Sequence, residues 1–191
     1  MIHRIICVLY LTHEIQKQLT SVLPKTKYYM LIISYLGIFD GQNLEQANTP
    51  NQIDTSCNNG FGCMVNVWRI NDKLCIGTAN DPIEVTDRYL QGNRFFINAM
   101  NTDMQNWLQT QPSNLYPNYF WFPNATESTN VTTSNGQIIT PGTVPVNNNS
   151  ILLLPEIQDR GLLSTVKLRC YGVISNYCTF IRRARSTGYW Y

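Results

Sequence analysis

Short apolar runs predict several strands in this chain, and one longer periodic stretch predicts a helix. In residues 62–77 apolar and polar positions alternate on both sides of Asn71 and Asp72, which predicts a hairpin with one half-buried face. Residues 87–109 place apolar side chains at helical spacing and predict the principal helix, which ends before Pro112. Further strands are predicted at residues 136–140, 150–157, 164–175 and 178–184.

These elements predict an α+β fold, in which a small and mainly antiparallel β-sheet packs with one principal helix. Residues 48–191 are expected to form a single domain, because a chain of 191 residues suits one hydrophobic core. Residues 124–150 are rich in Ser, Thr, Asn and Pro and contain few apolar side chains. This composition predicts a long exposed loop.

The first 47 residues allow three interpretations. An apolar run at residues 28–39 follows Lys25 and Lys27 and precedes a polar turn, an order typical of a secretory leader, so residues 1–47 are predicted to be a targeting segment. The run is shorter than the roughly 20 residues that span a bilayer. In the alternatives, this segment is a retained anchor, or it begins the fold as a βαβ unit with strands at residues 4–11 and 27–37.

The composition is poor in charge. Only 14% of the residues are charged and the formal net charge is +2. Amides and hydroxyls therefore supply most of the polarity, which is typical of extracellular and glycan-contacting surfaces. Because the basic and acidic side chains are nearly equal in number, the chain produces no long-range field that would attract phosphates, and a nucleic-acid partner is not favoured.

The cysteines suggest a disulfide framework. Cys57 with Cys63 and Cys170 with Cys178 are close in sequence, and each pair is predicted to form a disulfide. Cys75 would then be unpaired and could link two copies of the chain in a homo-oligomer. The alternative is a set of reduced cysteines in a cytosolic core. Their spacing does not fit a zinc site, and neither a metal nor a cofactor is predicted.

Three Asn-X-Ser/Thr triplets are candidate glycosylation sites, at Asn124, Asn130 and Asn148. An Asn-rich chain produces about this number of triplets by chance, so their number says little. Their position is more informative, because all three fall in the predicted exposed loop.

Acid–base chemistry has few candidates. The two histidines, His3 and His13, both lie in the leader-like segment, so the mature domain would contain no imidazole for triad or metal chemistry. Carboxylates are predicted mainly in turns and at helix starts. No catalytic residue is predicted, and a non-enzymatic function is favoured.

Two groups of side chains are candidates for binding a ligand. The first is an aromatic block beside the amide-rich stretch, which includes Tyr116, Tyr119 and Trp121. Aromatic rings stack on the apolar faces of sugars while amides supply hydrogen bonds. The second is the tail, where arginines suited to gripping anions precede terminal rings: Arg182, Arg183, Arg185, Tyr189 and Trp190. Burial of the aromatic block in a core strand, and an edge strand with solvated arginines, are the structural alternatives.

The sequence therefore predicts a secreted or surface-exposed recognition domain that binds a glycan or a protein. One rival hypothesis is a small intracellular enzyme with an N-terminal βαβ unit, using Asp40, Asp72, Arg182 and Arg183. Another is a structural component of a virion or appendage, in which a long Asn/Thr loop and an unpaired Cys75 would both be expected.

Overall fold

The computed structural model of this chain describes residues 30–122, 130–142, 145–155 and 170–186. These ranges contain ten strands and three α-helices. The strands are β1 (Leu31–Tyr35), β2 (Gly62–Ile70), β3 (Lys73–Gly77), β4 (Pro82–Val85), β5 (Phe95–Ala99), β6 (Tyr119–Phe120), β7 (Val131–Thr132), β8 (Ile138–Pro141), β9 (Ser150–Leu153) and β10 (Gly172–Ser175). The helices are α1 (Pro50–Asn58), α2 (Thr102–Thr110) and α3 (Cys178–Ser186).

Seven of the strands run parallel to one another, in the order β6-β5-β2-β1-β10-β9-β8. Strand β7 pairs antiparallel with β8, and β3 and β4 extend antiparallel from the end of β2. Helices and a mixed sheet are therefore both present, but the expectation of a mainly antiparallel sheet is not confirmed. The reason is that α1 connects β1 to β2 and α2 connects β5 to β6, and such crossovers make consecutive strands parallel.

The sheet curls so that its two ends approach each other. One buried cluster contains a single inward-facing side chain from each of the seven parallel strands, including β6 and β8 at opposite ends of the order. Its members are Ile33, Met64, Phe96, Phe120, Ile139, Ile151 and Ile174. The seven strands therefore surround a common apolar interior, and we refer to them as the ring.

The helices pack on the outside of this ring. Alternate residues of β2 and β5 point outward and bury against Ile53 of α1 and against Met104 and Leu108 of α2. On the other side, Ile181 of α3 packs with outward residues of β9 and β10. A strand buried on both faces needs few polar positions, which explains why β5 is buried at all five residues.

Strand β2 is longer than its neighbours, and two asparagine side chains occupy the places where those neighbours end. On one edge, Asn48 accepts a hydrogen bond from the Asn66 main-chain nitrogen (3.0 Å) and donates to the Asn66 carbonyl (2.8 Å). On the other edge, Asn101 makes the same two bonds to the main chain of Arg69 (3.2 and 2.9 Å). Each amide thus replaces one residue of a missing strand.

The hairpin predicted at residues 62–77 is confirmed. Strands β2 and β3 pair antiparallel around Asn71 and Asp72, and both of these residues have the positive φ that a tight hairpin turn requires. The strands predicted at residues 136–140 and 150–157 correspond to β8 and β9.

The principal helix predicted over residues 87–109 is confirmed only in its last part, where α2 lies. The chain forms a 3-10 turn at Asp87–Leu90, then β5, and only then α2. The Phe and Ile residues that fitted a helical stripe belong to a strand buried on both faces, where periodicity cannot distinguish strand from helix. The helix begins at Asn101, whose side chain caps it by accepting from the Met104 nitrogen at 3.0 Å.

Two further expectations are corrected. Residues 178–184 were expected to form a strand but lie in α3, whose Ile181 packs on the ring while Arg182 and Arg183 are exposed. The long loop expected at residues 124–150 contains β7 and β8 in its described part, while residues 123–129 and 143–144 lie outside the description.

The leader-like segment contributes directly to the sheet. Its residues 31–35 form β1, which lies between β2 and β10, and Ile33 is fully buried. A cleavage after β1 would therefore remove a central strand. Residues 1–29, which include the first strand and the helix of the βαβ alternative, lie outside the described residues.

Candidate functional site

A groove of about 350 Å³ opens on the outside of the ring, between α2 and the strands β6 and β7. It is called the β6 groove below. Its lining consists of Ala99, Gln105, Gln109, Tyr119, Phe120, Trp121, Thr132, Thr133 and Ser134. Its volume falls within the range typical of small-molecule sites.

The sequence around β6 explains how the groove is held open. Ser134, in the turn between β7 and β8, donates from its main-chain nitrogen to the Tyr119 carbonyl (2.7 Å) and accepts from the Tyr119 nitrogen with its hydroxyl (3.0 Å). The same hydroxyl donates to the Pro117 carbonyl at 2.9 Å. These bonds fix the turn beside β6. This turn forms the wall of the groove opposite α2.

The groove combines aromatic surface with unpaired amides. Tyr119 and Trp121 are half-buried, so part of each ring faces solvent. On the α2 side, the side chains of Gln105 and Gln109 form no hydrogen bond with any described residue, so their amides are available to a ligand. Apart from the Tyr119 phenol, no side chain in the lining is ionisable. The groove therefore matches a neutral ligand that carries both an apolar face and hydroxyl or amide groups.

The structure brings only part of the predicted aromatic block to this groove. Tyr119 and Trp121 line it, whereas Tyr116 is only 2% exposed and packs edge-on against Trp107 with ring centroids 5.2 Å apart. The Tyr116 hydroxyl donates to the Asp87 carbonyl at 3.1 Å. Tyr116 is therefore a core residue rather than a ligand contact.

The arginines of the tail lie elsewhere, on α3, which packs against β1, β9 and β10. The Arg182 guanidinium stacks 3.8 Å from the ring centre of Phe61. Arg185 donates to the Met30 carbonyl at 3.1 Å. At least two of the three arginines thus hold the helix on the ring, and none of them lines the β6 groove. Tyr189 and Trp190 lie outside the described residues.

Sequence reasoning missed the polar half of the groove. Gln105 and Gln109 fall within the predicted helix, and Thr132 and Ser134 within the predicted loop, and none of the four was predicted to contact a ligand. The spacing of the two glutamines, one helical turn apart, indicates that they share a face. Nothing in the sequence indicates that this face lies opposite β6.

The predicted disulfides are absent, because Cys57, Cys63, Cys75, Cys170 and Cys178 are all free thiols. Four of them are buried, and Cys57 is half-buried at the end of α1. Burial raises the pKa of Cys63 to about 12 and that of Cys170 to about 11. These thiols are held in their protonated form, which disfavours a nucleophilic function. Cys75 is only 6% exposed, so a bridge to another copy would require local opening of β3.

We expect the thiols to differ sharply in alkylation rate. Among the five described cysteines of the folded protein at neutral pH, iodoacetamide should modify the half-buried Cys57 first, while Cys63 and Cys178 should react only after urea is added, because both are fully buried. Peptide mass spectrometry over a time course measures this order. Rapid modification of Cys63 in the native protein would contradict the structure.

The described glycosylation candidates are exposed. Asn130 and Asn148 both face solvent, whereas Asn124 lies outside the described residues. The hydroxyl of Ser150, the third residue of the Asn148 triplet, is fully buried and accepts from the Asn147 nitrogen at 2.9 Å. Asn130 is therefore the more accessible acceptor in the folded chain.

The carboxylates of the enzyme alternative are engaged locally. Asp72 pairs with Arg69 at 2.9 Å at the tip of the β2–β3 hairpin, and Asp40 accepts from the main-chain nitrogen of Gln42 at 3.0 Å. Among the described residues, no three His, Cys, Asp or Glu side chains are grouped so as to hold a metal ion. His3 and His13 lie outside those residues.

No protein-family model, curated protein or solved structure matches this chain. Within the described ranges, no helix has the length and apolar character needed to cross a membrane. The chemistry of the β6 groove is therefore the main indication of function.

Proposed function

We propose that this protein is a non-enzymatic recognition domain that binds a neutral glycan in the β6 groove. The observation that carries this proposal is the pairing of two half-buried rings, Tyr119 and Trp121, with the free amides of Gln105 and Gln109 across the same groove. Sugars present apolar C–H faces and hydroxyls that both donate and accept. Rings and amides are complementary to these two features.

The charge of the groove favours a neutral ligand over a charged one. An anion bound here would lose its hydration without meeting a guanidinium or ammonium group, and a cation would meet no carboxylate. The hydroxyl of Thr132 adds a further group that can donate and accept, on the wall opposite α2, while the Ser134 hydroxyl already donates to Pro117 and accepts from Tyr119. A neutral oligosaccharide uses all of these groups, whereas a flat protein surface would leave the deeper part of the groove unfilled.

A secreted or surface location belongs to the same proposal. It rests on the amide- and hydroxyl-rich composition and on the solvent exposure of Asn130 in its glycosylation triplet, because the apolar run at residues 28–39 supplies the central strand β1 and is accounted for by burial. Intact mass of the chain purified from its native source, with and without glycosidase, measures any processing and any attached sugar. A chain that retains Met1 and carries no sugar would contradict this part of the proposal.

The binding prediction is tested on a glycan array with purified protein. Replacing Trp121 by alanine is expected to weaken binding about tenfold or more, because it removes the larger ring of the groove. Gln109→Ala is expected to cause a smaller loss, about threefold, because one hydrogen bond to a neutral group contributes about 1 kcal/mol or less.

The matched control is Tyr171→Ala. Tyr171 is 38% exposed and does not line the groove, so its replacement should leave glycan binding unchanged. Equal urea midpoints for wild type and variants would show that the fold is preserved. If wild-type protein binds no neutral glycan, or if Trp121→Ala binds as tightly as wild type, the proposal is wrong.

A further inference from the structure

A second set of polar side chains points into the ring at the carboxyl ends of its parallel strands. Because inward and outward residues alternate, Asn66 and Asn98 continue the inward rows of Met64 and Phe96. Tyr35 faces inward at the end of β1, and Asn176 follows the inward-facing Ile174 at the end of β10. On these four neighbouring strands the apolar interior of the ring therefore ends in three amides and a phenol, which we call the amide layer, whereas the corresponding positions on β6 and β9 are the apolar Phe122 and Leu153.

The amide of Asn98 has a fixed orientation. Its side-chain nitrogen lies 2.9 Å from the Asn66 Oδ1 and 3.2 Å from the Met100 sulfur, so both of its hydrogens are used. This leaves the carbonyl oxygen Oδ1 as the one unused group of this amide. That oxygen has no hydrogen-bond partner although Asn98 is only 6% exposed.

A buried amide oxygen without a partner is costly and uncommon in folded proteins. The Oδ1 of Asn176 is also buried and unpartnered, while its main-chain nitrogen donates to the Pro155 carbonyl at 3.0 Å. Two unused acceptors thus belong to the same layer. Both would be satisfied by a molecule that brings hydrogen-bond donors.

The topology places this layer at the carboxyl ends of a ring of parallel strands. Along the chain the strands advance around the ring in one direction, from β8 through β9 to β10 and from β1 through β2 and β5 to β6. Strand β10, which precedes Asn176, lies beside β1, which carries Tyr35. In rings of parallel strands, ligand sites lie at the carboxyl ends of the strands.

The chemistry of the layer defines the ligand class. Burial raises the pKa of Tyr35, so its hydroxyl stays neutral and can donate and accept. No other inward-facing side chain of the seven strands is ionisable among the described residues. Met100, which is 38% exposed, adds apolar surface next to Asn98.

We propose that the amide layer is a second ligand site, separate from the β6 groove, and that it takes an uncharged polyol whose hydroxyls donate to Asn98 and Asn176. Each hydroxyl that donates to an amide oxygen can also accept from Asn66 or Tyr35. A phosphate group would oppose the two amide oxygens with its own negative oxygens, and a bare cation would lack a balancing carboxylate.

The experiment follows the side-chain amide signals of Asn98 and Asn176 by NMR of the full chain labelled with ¹⁵N. Myo-inositol and methyl glucoside are the uncharged probes, and inorganic phosphate and calcium chloride are the charged ones. We expect both amide signals to shift saturably with at least one uncharged probe, at millimolar concentrations typical of single sugars. Asn176→Leu should weaken that binding at least fivefold, whereas Trp121→Ala should leave it unchanged.

Each outcome decides the proposal. If neither amide signal shifts with the uncharged probes, only ordered water donates to the two amide oxygens and the proposal is wrong. A shift with phosphate or calcium but not with polyols would also overturn it. Asn98→Leu would lose the hydrogen bond to Asn66 and could unfold the ring. The decisive variant is therefore Asn176→Leu, because Asn176 is less buried than Asn98. Loss of polyol binding in Trp121→Ala but not in Asn176→Leu would assign the polyol to the β6 groove instead.

Discussion

Replacing Asn48 by alanine is expected to lower the free energy of unfolding by about 3 kcal/mol, a large part of the stability of a typical domain. Asn48 is 2% exposed and its side chain forms three hydrogen bonds, two to the main chain of Asn66 and one to the Gly77 carbonyl at 2.9 Å. Its main chain adds bonds to Leu36 and Gly77. Alanine would leave buried main-chain groups of β2 and β3 without partners.

The backbone of Asn48 adds a second cost, because its φ of 61° lies in the left-handed region. Alanine loses roughly 1 kcal/mol there, whereas glycine does not. Asn48→Gly should therefore be less destabilised than Asn48→Ala by about this amount while still losing the side-chain bonds. Urea denaturation of both variants measures the two contributions separately.

Asn59→Ala is the control for Asn48. Asn59 is exposed and its side chain makes one bond, to the Thr55 carbonyl at the end of α1. Its replacement should change stability by no more than about 0.5 kcal/mol. If Asn48→Gly were as stable as wild type, the side chain of Asn48 would contribute nothing to holding β2, β3 and the turn after β1 together.

The structure also changes the meaning of the amide-rich composition. Abundant Asn and Gln side chains suggested a hydrogen-bonding exterior, yet Asn48, Asn98, Asn118 and Gln137 are all buried. Asn48 and Asn101 replace strand residues, and Asn118 donates to the carbonyl of Asn93. Other amides, such as those of Asn59, Asn130 and Gln109, do face solvent as composition predicted. Composition records how many amides a chain has, but it does not show which of them complete its backbone.

The local elements were predictable where a turn residue or an alternating pattern fixed them. Asn71 and Asp72 fixed the β2–β3 hairpin, since few residue types accept positive φ at both positions of a turn. Helix α1 was missed although Pro50 stands at its first turn, where proline is favoured. Strand β5 was taken for helix because a strand buried on both faces loses its alternation.

The topology was not predictable from local patterns. The pairing of β1 with β10 joins segments about 140 residues apart, and no single segment contains a signal for it. The β6 groove depends on such pairings, because Gln105 and Gln109 meet Trp121 only after α2 has packed beside β6. Aromatic residues could therefore be proposed as ligand contacts from the sequence, while their polar partners could not.

Replacing Gly37 by alanine is the second change with a large expected effect, a loss of about 3 kcal/mol in the free energy of unfolding. Gly37 follows β1 with a φ of +83°, and a Cβ there would lie 2.9 Å from the main-chain nitrogen of Ile53 in α1. Because the obstructing atoms are backbone, the helix itself would have to move away from the ring. Ile53 is fully buried in the core between α1 and the sheet, so that movement would disturb its packing.

The chain provides a matched control for this effect in Gly136. Gly136 has a nearly equal φ of +80°, but a Cβ added there meets no heavy atom within 4 Å. Gly136→Ala should therefore show only the conformational cost, roughly 1 kcal/mol, and the difference between the two variants isolates the close approach of α1 to the turn after β1. Urea midpoints measured under the same conditions give this difference. Equal midpoints would mean that α1 does not pack against Gly37. That result would contradict the described crossover from β1 through α1 to β2.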